Sequence, residues 1–573
     1  MKPSSNSMTM LSYIKAIVLA FVLVYFLTAI FFSVFYYTSN YEYLTNWFLS
    51  LNNCFYKSDV WQKEFFTTSV KKVGDYYSIA SIIVSSLGVF FFSRKLFQIF
   101  KQKDKLTIRV LTPKEHLIGY ILLLLIAILL WLYNHTFILP WYDEVFSGKF
   151  ISELHPFQTL AYYMLPNNHV FFNLLNNILF FWTEQKVLTG RIISLCAYVG
   201  VMWCIYFWLK KVVHVKCLAF SMVILLAMHY PIWSFGTQAR GYELQLLMAW
   251  ICFISIENYF DQNRKFWWSL FSFAAIIGFI TVPTFLFYYS ACLGYVLYRM
   301  WLTKNACWSF WKNQLLVLII VFLFYLPAIC FSGLNSITHN QYVSPEVKTA
   351  IEYMPVLGKM MHRYILYCFA FNCDGSIWLN YAFIFIPLYL FFVKNKTIQR
   401  LAVFFVLQWL AFLVLNTKML SAVPCRTLLL QYSFTMAFGV LAVYYFFHNL
   451  FKKKEKWATR FSLVFLLLMG IHFCNTQRHS LNQLYGPETN KTFQINEAGI
   501  KHLPKGYSVA FSNESFLWIY LAQHKNYELH PCPQGNETFY VKRSFENLPQ
   551  PYQGYQLYFK ADDFYEIYKK VDK

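Results

Sequence analysis

Long apolar stretches separated by short polar loops dominate the pattern of this chain. We interpret about thirteen of them as membrane spans. A helix needs about twenty residues to cross a bilayer. They cover residues 12–36, 76–93, 116–138, 191–209, 217–233, 241–259, 266–281, 284–300, 313–332, 377–393, 400–415, 428–448 and 459–474. The pattern therefore predicts an all-α polytopic membrane protein.

The apolar stretch at 170–182 is different, because it is too short to cross a bilayer. It also carries Asn173, Asn176 and Asn177. We expect an amphipathic helix that lies on the outer membrane surface. If this stretch crossed the membrane, every later loop would change sides.

Basic loops fix the expected orientation. The loops at 94–115, 210–216, 261–265, 299–312, 394–400 and 451–460 are net basic and fall on one side of the predicted topology. The positive-inside rule makes that side the cytoplasm. We therefore expect a multi-pass protein of the bacterial inner membrane, with its N-terminus inside and its C-terminus outside.

Three regions follow from the spans. Residues 1–115 hold two N-terminal spans and a basic cytoplasmic loop, and residues 116–474 form the main transmembrane domain. Residues 475–573 have the composition of a small α/β domain outside the cytoplasm. In that domain, strands are predicted at 506–511 and 538–541, and helices at 515–523 and 562–570.

Composition supports this class and excludes others. The chain of 573 residues is 58% hydrophobic and only 13% charged, against about 25% charged residues in soluble domains. The net charge of +22 could suggest nucleic acid, but the positive residues fall mainly in loops between spans. We expect the lipid bilayer as a partner and no nucleic acid.

Asp143 and Glu144 follow directly on the span at 116–138, so two carboxylates lie where a membrane helix meets water. Ionised groups at that depth are costly and often functional. A carboxylate there can act as a general base. The alternative is a pair that caps a helix or faces water.

Cationic residues at the outer ends of spans are the second candidate set. Arg191, Arg240 and Arg426 lie there, with Lys418 in the same outer loop as Arg426. A guanidinium donates paired hydrogen bonds that suit phosphate. These residues are candidates for binding a donor phosphate, although each arginine could instead extend to lipid head groups.

Residues 166–169, Pro-Asn-Asn-His, lie in the same outer loop as the carboxylates. We assign Asn168, His169 and the aromatic Tyr242 to substrate binding. Together with His155, the carboxylates and His169 could hold a divalent metal, but their spacing matches no helical ligand pair. No cofactor is certain, and no nucleotide-binding motif is present.

The sequence resembles the GT-C glycosyltransferases, and is most similar to bacterial relatives of the protein O-mannosyltransferases and the lipid A aminoarabinose transferases. The Asp143-Glu144 loop and the segments at 166–169, 190–194, 239–242 and 424–426 carry the resemblance. It implies a polyprenyl-phosphate sugar donor, with Asp143 as catalytic base and Glu144 as its support. Two spans precede the one leading to the carboxylates, where that family usually has one.

The leading hypothesis is a glycosyltransferase that moves a sugar from a polyprenyl phosphate to an extracytoplasmic glycan, lipid or protein in one inverting displacement. Two alternatives remain open. One is a flippase or other transporter of lipid-linked sugars, although the notable charges cluster at one face instead of the bilayer midplane. The other is an oligosaccharide ligase that uses a diphosphate-linked donor.

Overall fold

The fold is given by a computed structural model that describes most of the transmembrane region and part of the C-terminal domain. The described residues are 10–52, 55, 58–101, 121, 123–129, 132, 142–164, 168–183, 185–213, 215–304, 307–338, 347, 349–368, 381, 384–451, 454–485, 503, 507–512, 528–530, 535–561 and 565–571.

Helices make up nearly all of the described chain before residue 486. They are α1 Met10–Thr38, α2 Tyr41–Ser50, α3 Thr68–Lys101, α4 Tyr142–Phe146, α5 Pro156–Ala161, α6 Val170–Leu179, α7 Lys186–Val212, α8 Lys216–Ala227, α9 Tyr230–Gly236, α10 Tyr242–Gln262, α11 Phe266–Thr281, α12 Phe285–Thr303, α13 Trp308–Ser332, α14 Leu334–Thr338, α15 Ala350–Cys368, α16 Lys396–Met419, α17 Leu429–Leu450 and α18 Glu455–Tyr485. Short helical turns at Ser58–Val60, Trp61–Phe65, Ser147–Ile151, Ile386–Phe392 and Cys425–Leu428 connect them.

Seven of these helices are long and apolar enough to cross a membrane, or eight if the bent pair α8 and α9 counts as one span. The chain is thus a multi-pass helical protein, but the predicted count of thirteen spans is not confirmed within the described residues. The predicted span at 116–138 lies largely outside them. The described end of the span at 377–393 is the 3-10 helix Ile386–Phe392.

The predicted span at 217–233 was wrong in one respect, because it bends by 70° between α8 and α9. Pro231 lacks the N–H that would bond the carbonyl of Ala227 four residues earlier. The hydroxyl of Tyr198 donates to that carbonyl instead, at 2.7 Å. Likewise, the Tyr325 hydroxyl donates to the carbonyl of Phe279, four residues before Pro283, where α11 gives way to α12.

The N-terminal helices α1 and α3 pack against each other and against α13. The hydroxyls of Tyr25 and Tyr36 donate to α13 carbonyls at Ile320 and Cys330, each at 2.9 Å. Along α3, a seam of small residues faces α1 at Gly74, Ser81 and Gly88, and Ser78 lies against Cys330 of α13. Small residues let membrane helices approach closely, so the two extra helices are an integral part of the bundle.

Helix α6 is ten residues long, which gives about 15 Å of rise and cannot span a bilayer. Its three asparagines are buried against the protein, while Ile178, Phe181 and Trp182 at its far end are exposed. The polar face of this helix therefore points inward, where neighbouring backbone and side chains satisfy it.

The C-terminal region forms a five-stranded sheet in the order β2-β1-β3-β5-β4. The strands are β1 Ser508–Phe511, β2 Glu528–His530, β3 Phe539–Arg543, β4 Gln556–Ala561 and β5 Tyr565–Lys569. β1 pairs with β2 and β3 in parallel, and β5 pairs antiparallel with β3 and β4. The strands predicted at 506–511 and 538–541 are present.

The helix predicted at 562–570 is wrong, because β5 occupies its described part. Tyr565 and Ile567 are buried on one face of the sheet, a period of two that fits a strand. The helix predicted at 515–523 lies outside the described residues. Buried sheet residues join the loop around Phe146 and Phe150 in one continuous hydrophobic cluster.

The seam between α1 and α3 gives the first testable prediction. A Cβ on Gly88 would lie 2.7 Å from the buried ring of Phe26, so Gly88→Leu should destabilise the bundle by about 1–3 kcal/mol through overpacking. Thermal unfolding in detergent measures this effect. Gly358→Leu on α15 is the control, since nothing lies within 4 Å of its Cβ position. Equal unfolding temperatures for both variants would contradict the packing described.

Candidate active site

The two carboxylates lie in the first turn of α4. Successive helical residues point about 100° apart, so Asp143 and Glu144 reach different partners. Their side chains also differ in exposure, at 18% for Asp143 and 1% for Glu144. Of the two carboxylates, only Asp143 is therefore accessible at the protein surface.

Glu144 is held by three donors. Arg191 near the start of α7 donates from Nε to Oε1 at 2.9 Å and from a terminal nitrogen to Oε2 at 3.1 Å. The backbone N–H of Ala239 donates to Oε1 at 2.7 Å. Arg191 is itself buried, and a bidentate pair of this kind is strong and directional. Glu144 thereby ties α4, α7 and the segment before α10 together.

Asp143 lies between two other guanidinium groups. Arg240 approaches Oδ2 at 2.6 Å and is buried. Arg426 approaches the same oxygen at 3.4 Å, and 39% of its side chain is exposed. One carboxylate oxygen thus has one buried and one accessible cationic neighbour.

Tyr242 organises the arginines around Asp143. Its hydroxyl accepts a hydrogen bond from Nε of Arg426 at 3.2 Å. The Arg240 guanidinium lies 5.4 Å from the Tyr242 ring centroid, within cation–π range. Tyr242 is buried, so its described contacts position Arg426 and Arg240.

His169 precedes α6 and is almost fully buried. Its Nδ1 accepts the backbone N–H of Gly241 at 2.8 Å, and its ring meets the Tyr242 ring edge-on at 4.5 Å. Burial, together with the nearby charges of Arg240 and Arg426, holds the pKa of His169 well below its usual range. The imidazole is therefore neutral at physiological pH.

Asn168, which is predicted to bind substrate, makes hydrogen bonds within the protein. Its amide donates to the carbonyls of Thr159 and Tyr162 at 3.1 and 2.9 Å. Its oxygen accepts from Asn173 at 3.0 Å. Both amide protons are thus bonded to carbonyls of the segment 159–162. The neighbouring residues 165–167 lie outside the described part of the chain.

The remaining candidates, Lys418 and His155, have no described contact with the carboxylates. Lys418 is exposed in the last turn of α16, and the described contacts of Asp143 do not include it. His155 caps α5 by accepting the N–H of Phe157 at its Nδ1. Within the described ranges, no group of three or more His, Cys, Asp or Glu side chains is placed to hold a metal ion.

Two backbone groups of the site were missed by sequence reasoning: the N–H groups of Ala239 and Gly241. A Cβ on Gly241 would lie 2.9 Å from His169 Nδ1 and 2.8 Å from a methyl of Thr281. Only glycine permits that approach without a shift of its neighbours. The side chains of Arg240 and Tyr242 mark the segment 239–242 in the sequence, but a single sequence carries no sign of backbone donors.

Comparison with known proteins gives structural likenesses only. No protein-family model and no curated protein matches the sequence. The crystal structure of ArnT from Cupriavidus metallidurans in the apo state is similar over 79% of this chain and 97% of that one, at 11% identity and a TM-score of 0.46. Its structure bound to undecaprenyl phosphate covers 79% and 98%, at 11% identity and a TM-score of 0.47.

A third similar structure is the arabinosyltransferase EmbB from Mycobacterium smegmatis, solved by cryo-EM. It covers 74% of this chain and 47% of that one, at 12% identity and a TM-score of 0.36. At 11–12% identity, these likenesses concern the fold alone.

The Glu144–Arg191 pair gives the second testable prediction. Glu144→Gln leaves a buried guanidinium without its counter-charge, which typically costs about 3–5 kcal/mol. Thermal unfolding in detergent should show this loss. The double variant Glu144→Gln/Arg191→Met, in which no charge is left unpaired, should recover part of it. If the single and the double variant both unfold at the wild-type temperature, the pair does not hold these segments together.

Proposed function

We propose that the protein is a membrane glycosyltransferase that moves a sugar from a polyprenyl-phosphate donor to a hydroxyl of an extracytoplasmic acceptor. The observation that carries the proposal is the position of Asp143, a partly exposed carboxylate next to the accessible guanidinium of Arg426. A base for the acceptor and a cation for the donor phosphate are thus in one place.

The reaction needs both groups at once. The acceptor oxygen bonds to the anomeric carbon of the sugar as the bond from that carbon to the phosphate oxygen breaks. The acceptor proton passes to Asp143, and the electron pair leaves with the polyprenyl phosphate. General base catalysis of this kind contributes about 10²–10⁴-fold, and Arg426 stabilises the charge that develops on the phosphate.

The helix directions support an anionic ligand at this site. Arg191 lies in the second turn of α7, Arg240 lies two residues before α10, and Arg426 lies in the short helical turn Cys425–Leu428 that leads into α17. Helix N-termini carry partial positive charge and unpaired backbone N–H groups. The side chains that reach the carboxylates therefore come from the N-terminal regions of three long helices, which supports a phosphate there.

The contacts divide the predicted phosphate-binding residues into two groups. Arg426 is accessible and is our candidate for direct phosphate contact, with buried Arg240 orienting Asp143 beside it. Arg191 is buried against Glu144, so we propose that Arg191 and Glu144 have a positioning role. In this proposal Glu144 supports Asp143 by fixing the helix that carries it.

The position of the site relative to the membrane also supports the proposal. The N-terminal ends of α7 and α17, two of the membrane-length helices, bring the site to the depth of a lipid head group. A donor with a long polyprenyl chain would place its phosphate at that depth. With the cytoplasmic side set by the basic loops, the site and the C-terminal domain lie outside, in agreement with an enzyme of the bacterial inner membrane.

The direct test is Asp143→Asn in purified protein reconstituted into vesicles with a polyprenyl-phosphate sugar. We expect transfer to fall by about 10²–10⁴-fold because the base is lost. Asp261→Asn is the matched control, because Asp261 forms an exposed ion pair with Lys211 at the opposite end of α10. This control should retain transfer.

Transfer by Asp143→Asn at the wild-type rate would remove Asp143 as base. A further measurement distinguishes the transferase from the transporter. If the wild type moves labelled donor across the vesicle membrane without transferring its sugar to any acceptor, the proposed transferase is wrong. Donor movement that Asp143→Asn leaves unchanged would point the same way.

A further inference from the structure

The connection between α1 and α3 carries a fully buried group of aromatic rings. Its described residues are 41–52, 55 and 58–66. Three of its rings and one at the end of α13 have no exposed surface, namely Phe48, Trp61, Phe66 and Phe331. These four rings stack within 22° of parallel around a closed circuit, at centroid distances of 4.5, 5.3, 5.0 and 4.8 Å. The connection is therefore fixed to the end of α13.

Two buried side chains join this connection to its neighbours by hydrogen bonds. Nε1 of Trp61 donates to the carbonyl of Phe331 at 2.8 Å. Nε2 of Gln158 in α5, a residue without exposed surface, donates to the carbonyl of Phe48 at 2.8 Å. Phe331 and Phe48 lie in the last turns of α13 and α2, where backbone carbonyls lack partners within the helix. The connection, α13 and α5 thus satisfy one another's buried polar groups.

Helix α5 in turn constrains the segment that carries Asp143. The residue after the buried glutamine is Thr159, whose hydroxyl donates to the carbonyl of Ile151 at 2.8 Å. Ile151 ends the helical turn Ser147–Ile151, which follows α4 without a break. The buried apolar side chains of this segment and of the connection belong to one hydrophobic cluster. Asp143 therefore lies on a helical segment that is held near its start by the Glu144 ion pair and at its end through α5.

The role of this connection follows from those contacts. We infer that the α1–α3 connection is a positioning element for the reaction, which sets the orientation of Asp143 through Phe48, Gln158 and Thr159. The inference deepens the proposed function, on which it rests for the role of Asp143 as base. It assigns a task to the two N-terminal helices, by which this chain departs from the family pattern that it resembles.

A positioning role has a specific kinetic signature. The candidate phosphate ligand, Arg426, is carried by the helical turn before α17, and its Nε is held by the Tyr242 hydroxyl. Neither residue belongs to the set of contacts that joins the connection to α5. A shift of the segment 142–151 should therefore slow the chemical step, for which the base must be aligned, without weakening donor binding.

Gln158→Met in the full-length protein, reconstituted into vesicles with a polyprenyl-phosphate sugar, tests this signature. Methionine is also unbranched and of similar length but cannot donate to the carbonyl of Phe48. We expect kcat to fall about ten- to a hundred-fold, since small displacements of a reacting group are costly. The donor KM should stay within about twofold of the wild type. Trp61→Phe keeps a ring in the stack but loses the N–H, and it should lower kcat in the same way by a smaller factor.

Gln314→Met on α13 is the matched control. Gln314 is also buried, donates to the carbonyl of Phe310 at 3.2 Å and accepts from the Tyr289 hydroxyl at 3.0 Å. It lies towards the opposite end of α13 from Phe331. This variant loses buried hydrogen bonds of the same kind, so its unfolding temperature in detergent should fall at least as far as that of Gln158→Met. Its kcat should remain that of the wild type.

Amide hydrogen exchange gives a second readout that needs no substrate. Exchange reports the local opening of a segment, and it is measured here by mass spectrometry for peptides that cover 142–151. We expect faster exchange of this segment in Gln158→Met than in the wild type and in Gln314→Met. Peptides from α17 should exchange alike in all three proteins, because that helix is outside the set of contacts.

Three results would overturn the inference. They are a kcat of Gln158→Met equal to that of Gln314→Met, a loss of activity that lies in the donor KM instead of kcat, and unchanged exchange across 142–151. The exchange experiment also separates this inference from the proposed function. Faster exchange of the segment in Gln158→Met alone, in a protein whose wild type transfers no sugar, would uphold the positioning of the segment while refuting the transferase.

Discussion

The structure depends on the pairing of buried charges near the N-terminal ends of its helices. An ionised carboxylate or guanidinium removed from water alone costs several kcal/mol, and its partner must offset that cost. Glu144 meets this condition with Arg191 and a backbone N–H. The same pairing fixes where α4 lies relative to α7 and α10, so the geometry around Asp143 follows from it.

The pairing also explains why two adjacent carboxylates have different chemistry. Glu144 is enclosed and its hydrogen-bonding capacity is directed into the protein. Asp143 points to Arg240 and Arg426 at the edge of the bundle and remains partly exposed. The buried Glu144–Arg191 pair therefore holds the accessible Asp143 in position. This arrangement suits a base whose orientation decides its activity.

Sequence patterns predicted much of this architecture and part of the site. The long apolar helices, the short helix α6 and the strands β1 and β3 follow from length and periodicity. Apolar length alone does not predict the break at Pro231, although the proline itself is a helix breaker. Residues 562–570 have a local pattern that predicts a helix, but pairing of β5 with β3 across the sheet outweighs local preference.

Within the site, the residue types were predictable and their partners were not. Arg191, Arg240 and Arg426 look alike in sequence, each a cation at the outer end of a span. Only the fold shows that Arg191 is enclosed on Glu144 while Arg426 remains accessible. Likewise, only the fold shows that the carbonyls of Thr159 and Tyr162 accept the amide protons of Asn168.

The central claim is that Asp143 and Arg426 share one site with the phosphate of a lipid-linked donor. The most direct measurement is a cryo-EM structure of the protein with a bound polyprenyl phosphate. We predict phosphate oxygens within about 3 Å of Arg426 nitrogen atoms, beside Asp143 and Tyr242. A phosphate bound elsewhere, such as near the buried Arg299–Glu257 pair that links α10 and α12, would contradict it.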